Sequence, residues 1–392
     1  MSGVAMRAVR LAQAELGQAE EVPAWDLRVL VPALLLVSIG VAMVFSAGMP
    51  YATQQGSGSV FYYLIREAVF LVMGVAAMIA AARVSLPRLQ DRAFLLLVIT
   101  LGLLIGVHFF GVMVNGARSW YQIPIPGLSL RFQPSEMAKL VLVIALARYF
   151  TKFPGGLRTW KQFAPPVVLL GLVCLPISKE PDLGTVAVIG MAMLVFFHLA
   201  GAKFRHVAAL AGLTVAVAAV KMEPYQWQRL KDWLFPTPDS AAAGNYQISR
   251  ALTALGAGGI TGRGYCAGIE KYFYLPEATT DAILAVIGEE LGLLATWLVV
   301  ALFAYLVCRG LQIAVRAADR FSGLVASGVT CLFGVQALLN LAVVTGCAPT
   351  TGITLPFVSY GGSSLLFSLL GIGLLLNVAR HSRATVPARS TA

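Results

Sequence analysis

The sequence predicts an all-α, polytopic integral membrane protein with ten transmembrane helices and one large extracytoplasmic loop. Apolar residues fill 58% of the 392 positions, charged residues fill 12%, and the mean hydropathy is +0.79. A soluble domain has about 45–50% apolar and about 25% charged residues. The chain also contains repeated apolar runs long enough to cross a bilayer. These observations together exclude an ordinary soluble fold.

Ten apolar runs follow one another, and short polar segments separate most of them. The predicted spans are about 27–47, 60–82, 93–114, 134–150, 163–178, 183–200, 206–220, 281–308, 321–345 and 355–378. The first run exceeds the apolar core of a signal peptide, so we expect it to be retained. Residues 27–378 therefore form one predicted membrane domain. It lies between an N-terminal tail, 1–26, and a C-terminal tail, 379–392.

The positive charges predict the orientation. Ten spans place both termini on one side, and 18 of the 29 Lys and Arg residues lie on that side. Short cytoplasmic loops are enriched in Lys and Arg, so we expect both termini to be cytoplasmic. Segment 221–280, between the seventh and eighth spans, then becomes the extracytoplasmic loop. The net charge of +11 reflects topology and attraction to membrane lipids, and nucleic-acid binding is not expected.

The cysteines and histidines give no metal-binding pattern. None of the five cysteines forms a Cys-x-x-Cys pair, and the four histidines are scattered. Metal sites need clustered ligands, so we expect buried free thiols and no metal site.

The fourth span begins with charged residues, Glu136 and Lys139. Pro134 suits a first helical turn, and an acid there is favoured by the helix dipole. Residues three apart share a helix face, so the two side chains can pair. Two interpretations stay open and are compatible: a buried ion pair that fixes packing, or a cavity in which Lys139 takes an anionic headgroup.

The sixth span begins after Lys179-Glu180-Pro181-Asp182. Asp182 is a predicted helix N-cap, because its carboxylate can accept free backbone N–H groups. Lys179, at the outer surface, could meet a phosphate.

The eighth span begins at Asp281 and contains Glu289 and Glu290. Ionisable groups in a bilayer are costly, and they usually mark a functional site. On a helix, Glu289 would lie about 80° around from Asp281 and about 12 Å deeper, so both could border one cavity. Glu290 would face the opposite way. Asp281 is either an ordinary helix cap or a general base whose pKa is raised by partial burial.

Two other stretches carry structural signals. The aromatic residues of 221–280 suit either anchoring at the headgroup level or stacking against a sugar or peptide. Pro349 to Ser364 holds two prolines and three glycines, so it predicts a rigid non-helical entry to the last span. At membrane depth such backbone is found only where it lines a cavity or is buried in protein.

Several motifs, in order along nearly the whole chain, carry a family resemblance. They are Asn115-Gly-Ala-Arg118-Ser-Trp120, Phe132-Gln-Pro-Ser-Glu136 with Lys139, Pro181-Asp182-Leu-Gly-Thr185, Tyr246-Gln247, Tyr274-Leu-Pro-Glu277 with Thr280-Asp281, Gly288-Glu289-Glu290-Leu-Gly292, and Pro349 to Ser364. With these motifs the sequence resembles the SEDS family (shape, elongation, division and sporulation proteins). Thr354-Leu-Pro-Phe-Val-Ser-Tyr-Gly-Gly is more similar to division-type than to elongation-type members.

The resemblance implies a peptidoglycan glycosyltransferase of the bacterial plasma membrane. Such an enzyme polymerises lipid II, an undecaprenyl-pyrophosphate-linked disaccharide peptide, at the outer face. Its implied partners are a class B penicillin-binding protein (an FtsI-like transpeptidase) and other divisome membrane proteins. The family's essential acid falls on Asp281, and substrate-binding positions fall on Arg118, Glu136 and Lys139.

Four further residues are candidate substrate contacts, namely Lys179, Lys271, Glu277 and Glu289. The chain departs from the family at Thr279 and Ala282, where the family usually has His and Phe, and at Glu270, where it has Gln. The acid survives these changes, but a neighbouring histidine is lost.

Three function hypotheses follow. The first is glycan polymerisation, with Asp281 as base and with Arg118, Lys139 and Lys179 facing the departing pyrophosphate. No cofactor is implied; a divalent cation is left open, although no clean ligand set is visible. The second is a lipid II flippase, which the intramembrane charges suit; no internal repeat of the kind common in transporters is found. The third is a scaffold that recruits division proteins. An elongation role also stays open.

Overall fold

The computed structural model describes residues 25–54, 60–114, 117–125, 128–180, 182–222, 224–235 and 243–384. Most of both predicted tails, Asn115, Gly116 and Pro181, and parts of segment 221–280 lie outside these residues. Within them the chain forms twelve helices and one small sheet. The helices are α1 Leu27–Gln54, α2 Tyr62–Arg83, α3 Leu86–Phe110, α4 Pro134–Thr151, α5 Trp160–Ser178, α6 Leu183–Leu199, α7 Phe204–Lys221, α8 Pro224–Leu234, α9 Ala243–Gly258, α10 Ile283–Val315, α11 Arg320–Val344 and α12 Gly362–Ala384.

Ten of these helices lie at the positions of the ten predicted spans, and α8 and α9 lie in segment 221–280. Seven are long and apolar enough to cross a membrane: α1, α2, α3, α5, α10, α11 and α12. Helices α6 and α7 are apolar but shorter. Helix α4 carries Glu136 and Lys139 and is buried along almost its whole length. The chain is therefore a multi-pass membrane protein built around a buried α4.

The all-α prediction needs one correction between α3 and α4. The sequence analysis expected a polar loop there, but the chain forms three antiparallel strands, β1 Val112–Val114, β2 Ala117–Ile125 and β3 Leu128–Phe132. Trp120 pairs with Val112, and Tyr121 pairs with Phe132. The strands satisfy each other's backbone N–H and C=O groups, which would otherwise need water where the segment packs on the helix ends.

Glycines let several helices approach closely. Helix α12 packs most extensively on α2, where a Cβ at Gly373 would lie 2.3 Å from the Met78 carbonyl oxygen. Helix α11 lies against α4, α6 and α10. The polar side chains that α11 carries therefore face the interior of the bundle.

Helix α10 breaks at Gly292, whose φ is 78°. The loop after α9 repairs the break: the N–H groups of Arg263 and Gly264 donate to the carbonyls of Glu289 and Glu290. The N–H groups of Leu293 and Leu294 donate in turn to Gly259 and Ile260. Because backbone groups freed by a helix break need partners inside a membrane protein, the loop after α9 is part of the bundle.

Candidate functional site

The Asp281 turn lies just before α10. The sequence analysis placed Asp281 as the first residue of the helix, but α10 begins at Ile283 and its N-cap is Ala282, without a side-chain cap. The side chain of Asp281 instead accepts hydrogen bonds from Gln247 Nε2 (3.1 Å, to Oδ2) and Thr280 Oγ1 (3.1 Å, to Oδ1). These contacts do not support the helix-cap alternative.

Two neighbouring elements fix the backbone of this turn. Asn340 of α11 donates from Nδ2 to the carbonyls of Asp281 (2.8 Å) and Ile353 (2.7 Å). In the non-helical entry to α12, the Ser359 hydroxyl donates to the Thr280 carbonyl. The Tyr360 N–H donates to the Thr279 carbonyl at 2.9 Å. The expected rigid segment before the last helix therefore holds the turn that carries the candidate base.

Burial sets the acidity of Asp281, which is only 5% exposed. Desolvation raises its pKa to about 6, and the hydrogen bonds from Gln247 and Thr280 oppose this increase. The charge of Glu277 also raises the pKa. A carboxylate with a pKa near the working pH can accept a proton from a reacting group and release it again.

Glu277 is connected to Asp281 through Thr280. The Thr280 hydroxyl lies 2.8 Å from Glu277 Oε2 and 3.1 Å from Asp281 Oδ1. Glu277 is exposed and has a φ of 53°, in the left-handed region that non-glycine residues seldom adopt. The structure therefore brings these two acids of the sequence analysis together.

The predicted pair of Glu136 and Lys139 is confirmed, with Lys139 Nζ 2.8 Å from Glu136 Oε2. Lys139 Nζ also donates to Gln336 Oε1 at 2.9 Å. Gln336 lies one turn before Asn340 on α11, so one helix face holds both the ion pair and the Asp281 backbone. Sequence analysis missed Gln336 and Asn340. Two amides four apart in an apolar run were the available signal.

Arg118 and Lys179 are the exposed cations of the predicted set. Arg118 lies on β2, and Lys179 follows α5 as its C-cap. Neither makes an ion pair within the part of the chain that the structure describes. The predicted N-cap role of Asp182 is confirmed, because its Oδ1 accepts from the Thr185 N–H at 3.0 Å.

Lys271 and Glu289 lie in a buried network instead of an open cavity. Lys271 Nζ contacts Glu290 Oε1 at 2.7 Å, and both side chains are 0% exposed. Lys271 Nζ also donates to Ser46 Oγ at 2.8 Å. The Glu289 carboxylate accepts from the Ile269 N–H (2.8 Å) and pairs with Arg263 (3.3 Å). Both acids thus hold the loop after α9 on α10. The contacts do not support the predicted cavity shared by Asp281 and Glu289.

Several polar atoms at the Asp281 end of the bundle are buried without a hydrogen-bond partner among the described residues. They include Ser135 Oγ, Asn340 Oδ1 and Thr351 Oγ1. Buried polar groups are nearly always satisfied by protein or water, so these atoms are available to water or to a polar ligand. Among residues with described positions, no three His, Cys, Asp or Glu side chains are arranged to hold a metal ion.

Comparisons with known proteins agree with this architecture. A family model described as "Cell cycle protein", which groups FtsW, RodA and SpoVE, matches residues 27–384. The probable peptidoglycan glycosyltransferase FtsW of Geobacter metallireducens is 37% identical over 371 residues, which are 93% of this chain and 97% of the relative.

Solved structures share the fold. One similar chain comes from a peptidoglycan synthase complex whose structure concerns the coordination of polymerization and crosslinking. The two chains superpose with a TM-score of 0.74 at 28% identity. That match covers 92% of this chain and 99% of the other. The rod shape determining protein RodA of Thermus thermophilus gives a TM-score of 0.67 at 28% identity, covering 91% of this chain and 97% of that one.

Proposed function

This chain belongs to the FtsW, RodA and SpoVE family of cell cycle proteins, and we propose that it polymerises lipid II during cell division with Asp281 as general base. It is a peptidoglycan glycosyltransferase, and the naming of its relatives as FtsW favours the division role over the elongation role. The observation that carries the mechanism is the buried Asp281: α9 contacts its carboxylate, while α11 and the segment before α12 hold the backbone of its turn.

The proposed reaction is a single displacement. Asp281 takes the proton from the 4-hydroxyl of the GlcNAc of an acceptor lipid II. That oxygen attacks C1 of the MurNAc of a donor, whose bond to undecaprenyl pyrophosphate breaks. The leaving group departs with the bonding electron pair, and the α linkage of the donor becomes a β linkage. A base with a pKa of about 6 is mostly ionised at neutral pH, so it is ready for this step.

Positive charge should stabilise the leaving pyrophosphate. We assign this role to Arg118, Lys139 and Lys179. Arg118 and Lys179 are exposed at the end of the bundle that carries Asp281, while Lys139 is held inside by Glu136 and Gln336. Glu277 faces the acceptor sugar in this proposal. The buried contacts of Lys271 and Glu289 favour a supporting role for these two residues over direct substrate contact.

The proposed topology has ten spans, cytoplasmic termini and an extracytoplasmic segment 221–280. Its support is that α4, α6 and α7 lie in the bundle with the seven longer apolar helices. The Asp26–Arg309 ion pair (2.6 Å) joins the start of α1 to α10 at the opposite end from Asp281, so the N-terminus and Asp281 lie on opposite sides in this topology. A class B penicillin-binding protein is the proposed partner, because the similar chain described above comes from a synthase complex.

The test is an assay of the purified protein with lipid II, with and without a candidate transpeptidase. We expect glycan strands and released undecaprenyl pyrophosphate. A parallel assay in proteoliposomes follows movement of the lipid II headgroup across the bilayer. Headgroup movement without any polymer would replace the proposed function with the flippase alternative, and neither activity would favour a scaffold.

A further inference from the structure

Helix α9 runs beside the start of α10 in the same direction. A Cβ at Gly258 would lie 1.9 Å from the Gly288 carbonyl oxygen, so these glycines allow the two backbones to touch. Eleven residues earlier on α9, the Gln247 amide reaches the Asp281 carboxylate. Close packing at the C-terminal end of α9 therefore fixes the position of Gln247 near the N-terminal end of the same helix.

A second contact fixes α9 to the loop that leads to Asp281. The Arg250 guanidinium lies over the rings of Tyr246 (5.2 Å) and Tyr274 (5.4 Å). It also lies 3.7 Å from Glu270 Oε1. Arg250 is three residues after Gln247, so both face the loop. These contacts leave Gln247 little freedom to move away from Asp281.

The hydrogen bond between Gln247 and Asp281 can run in only one direction when Asp281 is ionised. An ionised carboxylate only accepts hydrogen bonds, so the Gln247 amide must donate from its NH₂ group. The Thr280 hydroxyl lies 3.1 Å from the other carboxylate oxygen and shares its single proton with Glu277 Oε2 at 2.8 Å. Gln247 is therefore the side-chain donor that contacts Asp281 without this competition, while Asn340 holds the main chain behind it.

We propose that Gln247 is a positioning residue for the reaction: its amide orients the Asp281 carboxylate and stabilises its charged form. This inference rests on the proposed function for its catalytic meaning, but the contact can be tested without activity. The titratable groups near Asp281 are Glu277 on the same turn and Tyr51 of α1. The residues of α9 and α11 that contact Asp281 are neutral, namely Gln247 and Asn340. Replacing Gln247 by another neutral residue therefore changes the ionisation of Asp281 through the lost hydrogen bond.

The direct test is a titration of Asp281 by NMR in detergent-solubilised full-length protein with ¹³C-labelled aspartate. The chain has seven aspartates, and Asp281→Asn assigns the resonance. Losing a hydrogen bond to the charged form should raise the midpoint in Gln247→Met by about one pH unit. Gln247→Glu, which keeps a polar group but adds a like charge, should raise it further.

The matched control is Gln228→Met on α8, which removes the same kind of bond, from Gln228 Nε2 to Asp232 Oδ1 (2.8 Å). It should leave the Asp281 midpoint unchanged. An unshifted midpoint in both Gln247 variants, or an equal shift in the Gln228 control, would overturn the proposal.

The same variants are then assayed with lipid II across pH. Gln247→Met should move the acid limb of the pH–rate profile upward with the NMR midpoint and leave KM unchanged. A uniform loss of rate at every pH would indicate a merely structural role and refute the positioning role. If the wild-type protein forms no polymer but Gln247→Met still shifts the NMR midpoint, the proposed function is contradicted and the effect of Gln247 on Asp281 stands.

Discussion

At the residue scale, the structure separates two kinds of buried acid. Glu290 is paired with Lys271, whereas Asp281 has only neutral donors. Sequence reasoning placed Glu290 on the opposite helix face from Asp281, but it grouped Glu289 with Asp281 at one cavity. In the structure Glu289 instead pairs with Arg263. The distinction depends on how the loop after α9 folds back onto α10. That contact joins residues far apart in the sequence, so helical spacing does not predict it. The family motifs, by contrast, singled out Asp281 without any knowledge of these contacts.

The raised pKa of Asp281 predicts the pH dependence of the reaction. The ionised form is the base, so the rate should be flat above a pH of about 6 and fall as Asp281 is protonated below it. The measurement is the initial rate of lipid II polymerisation against pH at saturating substrate. A rate that stays constant well below the pKa of Asp281 would remove its ionisation from the rate-limiting chemistry.

Glu180 predicts a pH-dependent stability. The side chain is 1% exposed, and neither carboxylate oxygen has a hydrogen-bond partner of good geometry among the described residues. Burial raises its pKa from 4.5 to about 8. The folded protein thus holds a proton that the unfolded chain releases, so this group's contribution to stability falls as pH rises from 4.5 to about 8.

Glu180→Gln should therefore increase the thermal midpoint, and the gain should be larger at about pH 8 than at about pH 5. Thermal unfolding in detergent at both pH values measures this difference. Asp232→Asn, another acid outside the spans, serves as the control substitution. A gain that is equal at the two pH values would contradict the account of Glu180.

At the element scale, hydropathy predicted the ten helices of the bundle because each is a long apolar run. It did not predict the sheet, although Leu128 to Phe132 alternates apolar and polar residues as a strand does. Glycine and proline around the short segment favoured a loop. The break in α10 was also missed, because isolated glycines are common in membrane helices and Gly292 is followed by a long apolar run.

The break gives a test at this scale. Gly292→Ala places a Cβ 2.3 Å from the Gly262 N and retains a φ of 78°. It should destabilise the protein by at least about 1–3 kcal/mol and loosen the loop after α9. Thermal unfolding and hydrogen exchange at residues 259–271 measure both effects.

Gly102→Ala is the matched control, because a Cβ at this α3 position meets nothing within 4 Å. Alanine there should be neutral or slightly stabilising. Equal stability of the Gly292 and Gly102 variants would show that the break is not required.

At the scale of the whole molecule, the elements named for the site converge on one end of the bundle. The sheet, the starts of α4 and α6, the loop from α9 to Asp281 and the entry to α12 lie there. The ion pair of Arg309 and the carbonyl contacts of Arg320 lie at the other end. The alternation of the predicted spans already grouped these loops at one end, but the hydrogen bonds that join them required the fold.

The topology predicts which positions are accessible from outside the cell. Cys347 is exposed between α11 and α12 at the site end, and Arg88 is exposed in the first turn of α3 at the other end. A membrane-impermeant thiol reagent that reaches the outer face of the plasma membrane should label Cys347 in intact cells. The Cys347→Ser variant should lose this label. Arg88→Cys should add label only after the membrane is permeabilised, and the reverse pattern would invert the proposed orientation.

The most direct test of the central claim is the rate of glycan polymerisation from lipid II by purified Asp281→Asn, beside wild type and Asp232→Asn. Asparagine keeps the size of the side chain but cannot accept the proton. We expect wild-type and Asp232→Asn protein to form strands at similar rates and Asp281→Asn, folded to the same thermal midpoint, to form none. Polymer formed by Asp281→Asn at the wild-type rate would contradict the account.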